Sequence, residues 1–347
     1  MRSVLVTGAG GLIGSEAARF FLSAGDVVYG IENNTRRALF GDHGDISCVI
    51  TELSKHPNFT NYHKDIRDRE GIVSFMKRMS PDIIVHCAAQ PSHDKAAKVP
   101  FLDFDINAGG TFNLLEAARR HCDPAVVFIH MSTNKVYGDK PNTLKLIENE
   151  KRFDFAEPEY EAGIAEDLSI DNSTHSLFGA SKVAADIIAQ EYGRYFDMNI
   201  GIFRGGCLTG PQHAGVELHG FLSYIVKCAI HNKPYTIFGY GGKQVRDQIH
   251  SKDVISAFAE FIRNPQKGEA YNIGGQRMNS ASILETIDSI YTISGAKLNY
   301  TQSSCARVGD HICYYSDMAK FKTHFPNWRL TYSLEDIIRE IIEREKR

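Results

Sequence analysis

Short β-branched runs alternate with longer stretches of helical spacing through the first two hundred or so residues of the chain. Val4–Thr7, Val27–Ile31, Ile83–Ala88, Val126–Met131 and Ile200–Arg204 are almost continuously apolar, which predicts strands buried on both faces. Runs beginning near Leu12, Asp68, Phe101 and Ser176 repeat their apolar positions with helical period and predict amphipathic helices. Strand and helix in alternation predict an α/β fold with a doubly wound parallel sheet of the Rossmann type. Beyond about Gly205 the elements become shorter and mixed, with turn signals such as Gly239-Tyr-Gly-Gly242 and Gly274-Gly275. Residues 1–204 are therefore expected to form the dinucleotide domain. Residues 205–347 are expected to form most of a smaller mixed C-terminal substrate lobe, the two interleaving.

One stretch breaks the rhythm. Residues 140–175 carry nine acidic and four basic side chains, interrupted by Pro141, Pro158 and Gly163. A connection this long is functional or ordered by short elements of its own.

Composition changes the picture mainly by exclusion. The chain has 347 residues, 43% hydrophobic and 23% charged, with a net charge of −3. No basic run marks a nucleic-acid or membrane-surface face, so neither partner is expected. The seven cysteines are scattered without a Cys-x-x-Cys pair, which predicts reduced thiols and no metal site. No apolar leader precedes the strand-like run from Ser3, and no apolar stretch approaches a membrane span, so a soluble cytoplasmic protein is expected.

The strongest local chemistry lies in Gly8-Ala-Gly-Gly11-Leu12-Ile13-Gly14, which follows one predicted strand and opens one predicted helix. Gly8 suits a tight turn, Gly11 lets backbone approach a pyrophosphate, and Gly14 lets helix and sheet meet closely. Glu32 closes the next strand eighteen residues after Gly14, where a carboxylate accepts from a ribose diol. That placement favours NAD as cofactor, with Asn33 beside it. Arg36 and Arg37 keep the phosphorylated form, NADP, open. Asp65 and Ile66, read as ending a strand-like run from His63, are candidates for the adenine. Ala88 and Ala89 supply small residues beside the cofactor. Asn107 either contacts it or braces the sheet.

Together with Gly8–Gly14, the segments His86–Ala89, Ser132-Thr-Asn-Lys-Val-Tyr-Gly138, Ser181-Lys182, Arg246-Asp247 and Arg307-Val-Gly-Asp310 resemble the extended short-chain dehydrogenase/reductase family. Its members act on nucleotide sugars as epimerases and 4,6-dehydratases with bound NAD. Within it, Ser132–Gly138 and Gly242–Asp247 are most similar to the CDP-sugar 2-epimerases of the CDP-paratose (CDP-tyvelose) type. The resemblance implies that Thr133 hydrogen-bonds the hydroxyl being oxidised and that Lys182 binds the nicotinamide ribose. It implies substrate contacts from Asn134, Lys135, Arg204, Cys207, His219, Arg246, Arg307 and Asp310, and a homodimer or homotetramer. The dehydratases place an Asp-Glu pair after the active-site Thr, whereas this chain has Asn134-Lys135, which disfavours dehydration.

The departure from the family is at Phe178. In His175-Ser-Leu-Phe-Gly-Ala-Ser-Lys182 the ring stands where the family has its catalytic tyrosine. A benzene ring holds no proton. Lys182 is the first candidate to replace it, then His93, then His175. The alternatives left open are an introduced Tyr-to-Phe change and a relative that binds NAD and a nucleotide sugar without turnover.

Overall fold

The computed structural model describes residues 1–211, 220–306 and 309–346. The chain divides into two interleaved compact units. Residues 1–136, 177–204 and 255–271 build the first, and 137–176, 205–254 and 272–347 the second. Against the expected boundary at 204/205, the acidic segment leaves the first unit and residues 255–271 return to it.

The first unit is a seven-stranded sheet flanked by helices. Its strands are β1 (Ser3–Thr7), β2 (Val27–Ile31), β3 (Phe59–Tyr62), β4 (Ile83–His86), β5 (Val127–Thr133), β6 (Asn199–Gly205) and β7 (Lys267–Ile273), in the order 3-2-1-4-5-6-7. Strands β1 to β5 run parallel with unbroken register. Helices α1 (Leu12–Ser23), α2 (Arg69–Met79), α3 (Thr111–His121) and α4 (Ser176–Tyr195) supply the crossovers. One face of the sheet presents Leu5, Ile84, Phe128, Ile200 and Ile202 to Ile72 and Phe75 of α2, Leu114 and Leu115 of α3, and Ala189 of α4. Burying such side chains stabilises by roughly 1.5–3 kcal/mol each.

The doubly wound sheet is the expected one, with three local corrections. Strand β3 ends at Tyr62, so Asp65 and Ile66 lie in the loop beyond it. As an edge strand it buries only Phe59, which leaves little apolar pattern to read. Strand β7 lies in the stretch assigned to the lobe, yet completes the sheet beside β6. The helix expected from Phe101 is interrupted: Pro100–Phe104 passes through a widened π turn, Asp105–Gly110, before α3 begins. Such bulges re-aim side chains, and this one carries Asn107.

In the second unit, strand Val245–His250 pairs antiparallel with Ser280–Ser282 and parallel with Cys313–Tyr314 and Cys207–Thr209. Leu222 and Ile225, Ile283 and Ile290, and Ile337 and Ile341 come from three helices and share one core. The acidic segment is ordered by a hairpin of Leu146–Glu148 with Phe153–Phe155 and by 3₁₀ turns at Lys140–Thr143 and Pro158–Tyr160. Asp154 anchors it, accepting from Tyr315 Oη at 2.6 Å and from Arg277 at 2.7 Å. No described helix is long and apolar enough to cross a membrane.

Helix α4 reaches β7 because Gly193 has no side chain: a Cβ there would lie 2.2 Å from the Gly268 nitrogen. Alanine normally improves a helix by about 1 kcal/mol over glycine. Here overpacking of about 1–3 kcal/mol opposes it, and Gly193→Ala is expected to lower the melting temperature by several degrees in calorimetry.

Candidate active site

The glycine loop is a backbone cradle. Gly8 turns at a φ of 69°, with a Cβ position only 2.8 Å from the Ala88 nitrogen, and a Cβ on Gly14 would come within 2.1 Å of the Gly8 carbonyl oxygen. Helix α1 therefore starts directly against β1. Its N-cap is Gly11, no side chain caps it, and its first turn holds no acid. The leading N–H groups of Leu12, Ile13 and Gly14 meet an approaching anion with the positive end of the helix dipole. Glu32 closes the cradle, accepting from Gly10 N–H at 3.2 Å and Asn34 N–H at 2.8 Å. These residues fit a dinucleotide.

Asn33 donates to Asp65 at 3.2 Å, and Arg67 pairs with Asp65 at 2.7 Å, its hydrogen bonds holding that carboxyl below the usual range. Ile66 is buried and fills the space beside Gly110. Arg37, one of the two arginines that kept NADP open, is engaged by Asp42 at 3.0 Å and Asp45 at 3.6 Å.

Asn107 is a brace. Its Oδ1 accepts from Gln90 N–H at 2.9 Å, and its amide donates to Ser181 Oγ at 3.0 Å and Asp103 at 3.1 Å. Ser181 in turn donates to Asp103 at 2.6 Å, so the start of α4 is tied to the π turn. Beside it, Thr111 donates to Asn107 O at 2.6 Å and accepts from His86 Nε2 at 2.9 Å. That leaves His86 Nδ1 to accept from Thr7 at 2.7 Å, and Thr7 Oγ1 to accept from Ala88 N–H at 3.2 Å. The network assigns the tautomer of His86, and burial, then Lys182, pushes its pKa down to about 3.

Lys182 is buried and donates to Met131 O at 2.8 Å. Burial brings its amine down to about 8, against the opposing pull of Asp186, Cys87 and Asp103. Two residues along β5 from Met131, Thr133 Oγ1 accepts from Lys135 N–H at 3.2 Å and sits 3.4 Å from Asn134 Oδ1. Phe178, one turn before Lys182, is buried, and its ring centre lies 6.4 Å from that of His93. His93 opens a short helical turn capped by Ser92. Burial pushes the Cys87 thiol up to about 12, which removes it as a base near neutral pH. Within the second unit, His175 is spent on the acidic segment, its Nε2 bonding Ile170 O at 2.7 Å.

Arg204 departs from the expected substrate contact. Its guanidinium forks onto Asp186 at 2.9 and 3.1 Å, with both side chains almost fully buried. Asp186 also accepts from Ser132 Oγ and Gln190, each at 2.6 Å. A buried arginine already matched to a carboxylate holds elements together and presents no fork to a ligand. Ser132 and Asp186 were missed from sequence. The readable signal was the acid four residues after Lys182, on the same face of α4.

In the second unit, Arg246 is nearly buried and pairs with Asp310 at 2.5 Å, also donating to Val245 O at 2.7 Å. Cys207 lies on the strand neighbouring that of Arg246, within its electrostatic reach. Here the arginine is 12% and its acid 30% exposed, so the pair is less enclosed than Arg204 with Asp186. His219 and Arg307 lie outside the described residues.

The fold and cradle agree with comparison to known proteins. Residues 4–274 match the NAD dependent epimerase/dehydratase family, and the chain belongs to it. CDP-paratose 2-epimerase from Salmonella typhi is 32% identical, covering 98% of this chain and 98% of its own length. A dTDP-glucose 4,6-dehydratase from Neisseria meningitidis is 26% identical over 91% of this chain and 82% of its own. A tyrosine-to-phenylalanine mutant of UDP-glucuronic acid 4-epimerase from Bacillus cereus, in complex with UDP-4-deoxy-4-fluoro-glucuronic acid and NAD, superposes with a TM-score of 0.80 at 26% identity, covering 99% of both chains. NAD is thus the cofactor of the class.

The depressed amine of Lys182 has a measurable consequence for stability. In the unfolded chain it returns to its usual 10.5, so between about 8 and 10.5 the unfolded state holds the extra proton and stability rises with pH. Relative to Lys182→Met, the natural protein should gain up to about 3 kcal/mol across that window, read by denaturant unfolding at stepped pH.

Proposed function

We propose that this protein is an NAD-dependent nucleotide-sugar epimerase that inverts a sugar carbon, C2 of a CDP-hexose, by transient oxidation, with Lys182 taking the proton that Phe178 cannot. The observation that carries this reading is the buried Lys182 amine on Met131 O, held near about 8. A group poised there exchanges a proton near neutral pH, the condition for acid–base catalysis.

The chain's own residues divide the work. The Gly8–Gly14 cradle with Leu12 and Ile13 holds the pyrophosphate, while Glu32 and Asn33 take the adenosine ribose. Asp65, Ile66, Ala88 and Ala89 flank the cofactor. Bound NAD supplies the hydride acceptor and donor. Thr133 orients the hydroxyl to be oxidised. Lys182 would take the proton of the hydroxyl that Thr133 orients and return it to the same oxygen once the carbon has been inverted. Asn134 and Lys135 line the sugar. Arg246 and Asp310 hold the nucleoside diphosphate, with Cys207 beside it, and Arg307 and His219, which lie outside the described residues, are assigned to the same ligand by the resemblance alone.

The choice of C2 and of CDP rests on the resemblance of Ser132–Gly138 and Gly242–Asp247 and on the Salmonella relative. Elimination of water is disfavoured because an amide and an ammonium group stand where the dehydratases have a carboxylate pair. A second reading, a binding protein without turnover, is favoured by one observation: the family's tyrosine position is held by the buried Phe178 ring, which carries no proton.

Helices α3 and α4 suggest the assembly. Phe112, Ile187, Tyr195 and Phe196 are exposed to different degrees, as are Phe101 and Phe104 just before α3. Phe112 meets Tyr192 at 6.1 Å, which joins the two helix surfaces. Exposed aromatic groups at this density mark an interaction face, and we assign it to a second copy of the chain. Tyr195→Glu with Phe101→Glu is expected to halve the mass seen by sedimentation.

The catalytic reading is tested with CDP-, UDP-, GDP- and dTDP-hexoses, following inversion by NMR with bound NAD quantified in parallel. Turnover is expected with a CDP-hexose, and Lys182→Ala should reduce kcat by about 10²–10⁴ when measured at saturating NAD, since the same side chain is assigned to the nicotinamide ribose. Loss in His93→Ala alone would move the proton to His93. Turnover only in Phe178→Tyr would make Phe178 a disabling substitution, and turnover in neither form while ligands still bind would establish the binding protein.

A further inference from the structure

In the second unit, the turn between strands Tyr235–Phe238 and Val245–His250 runs Gly239-Tyr240-Gly241-Gly242, and all four residues have positive φ, at 69°, 54°, 60° and 79°. Glycine adopts such angles freely, but in tyrosine they set Cβ against the following carbonyl. The surrounding structure enforces the strain. Gly239 N–H donates to Ser303 O at 2.9 Å, Lys243 N–H donates to Tyr240 O at 3.0 Å, and Ala306 fills the space where a Gly239 Cβ would come within 2.8 Å. The Tyr240 side chain receives nothing in return, because among the described residues it makes no hydrogen bond and no ring contact.

Its neighbours are informative. Burial first, and then Asp310, raises the Tyr240 hydroxyl pKa, with Arg246 opposing, so the half-buried ring stands within electrostatic reach of that ion pair. A residue in a strained conformation whose half-buried side chain makes no hydrogen bond or ring contact among the described residues points to a ligand. A flat ring beside a guanidinium and a carboxylate matches a nucleoside diphosphate: the ring against the base, the guanidinium toward phosphate, the carboxylate toward ribose hydroxyls.

We propose that Tyr240 is a specificity-determining residue for the nucleoside half of the substrate, packing its ring on the base. This rests on the nucleotide-sugar reading above. The test compares the natural protein with Tyr240→Gly and Tyr240→Phe, titrating CDP, UDP, GDP and dTDP by calorimetry and measuring the melting temperature without nucleotide. Tyr240→Gly is expected to hold or raise the melting temperature, since strain is relieved, while weakening the preferred nucleotide about tenfold and narrowing the preference among the four. Tyr240→Phe should keep most of the affinity. Binding within twofold of the natural protein in Tyr240→Gly, or a fall in melting temperature that accounts for the weaker binding, overturns the assignment. A natural protein that binds none of the four overturns the nucleotide-sugar reading itself, and this inference with it.

Discussion

The buried carboxylate of Asp186 constrains the site more than any other single group. It is cut off from water, so it must be matched inside the protein. Two bonds from Arg204, one from Ser132 and one from Gln190 do so. Those partners come from β6, β5 and α4, and the match therefore fixes how α4 lies on the sheet. Replacing a buried ion pair with apolar groups often costs little, but removing one member alone costs about 3–5 kcal/mol. Lys182 lies one turn earlier on the same helix, and its position on Met131 O follows from that docking. The opposing charge of Asp186 also limits how far burial depresses the amine. One interaction thus bears on both the place of the Lys182 amine and its affinity for a proton.

The start of α4 is fixed by a second set of buried hydrogen bonds, centred on the Asp103 carboxylate. Asp103, Asn107 and Ser181 close a buried cluster at the π turn, and Thr111, His86 and Thr7 extend it to the nitrogen of Ala88. His86 stays neutral throughout. His130, 5.3 Å from it and almost fully buried, is also driven well below its ordinary range, first by burial and then by Lys182. A second cation this close to Lys182 would raise the cost of its charge further. The sheet thus surrounds the lysine with histidines that cannot compete for its proton near neutral pH.

Legibility in the sequence followed the range of the interaction. The glycine cradle and five of the strands came from residues close together in the chain, and local pattern sufficed. Strand β3 was misplaced because an edge strand that buries only Phe59 leaves almost no pattern. Arg204 was misread because an arginine ending a strand has the same local sequence whether it meets a phosphate or a carboxylate. What decides between them is Asp186, on a helix that packs against it only after folding. Asn107 posed the same problem, its four partners being scattered over three segments. Tyr240 was passed over as a turn signal, since Gly239-Tyr-Gly-Gly242 announces a turn without saying that its one side chain would be strained.

The Phe178 ring takes its meaning from these fixed surroundings. A helix that had merely lost its catalytic group would be free to drift, yet the residues that hold α4 in place are all engaged, from Asp103 at one end to Arg204 at the other. Their cost is substantial: a buried ion pair, a buried lysine and a neutral histidine pair are each less stable than apolar packing of the same volume. The phenylalanine therefore sits one turn before a buried amine, on a helix whose position is fixed at several points by buried polar contacts.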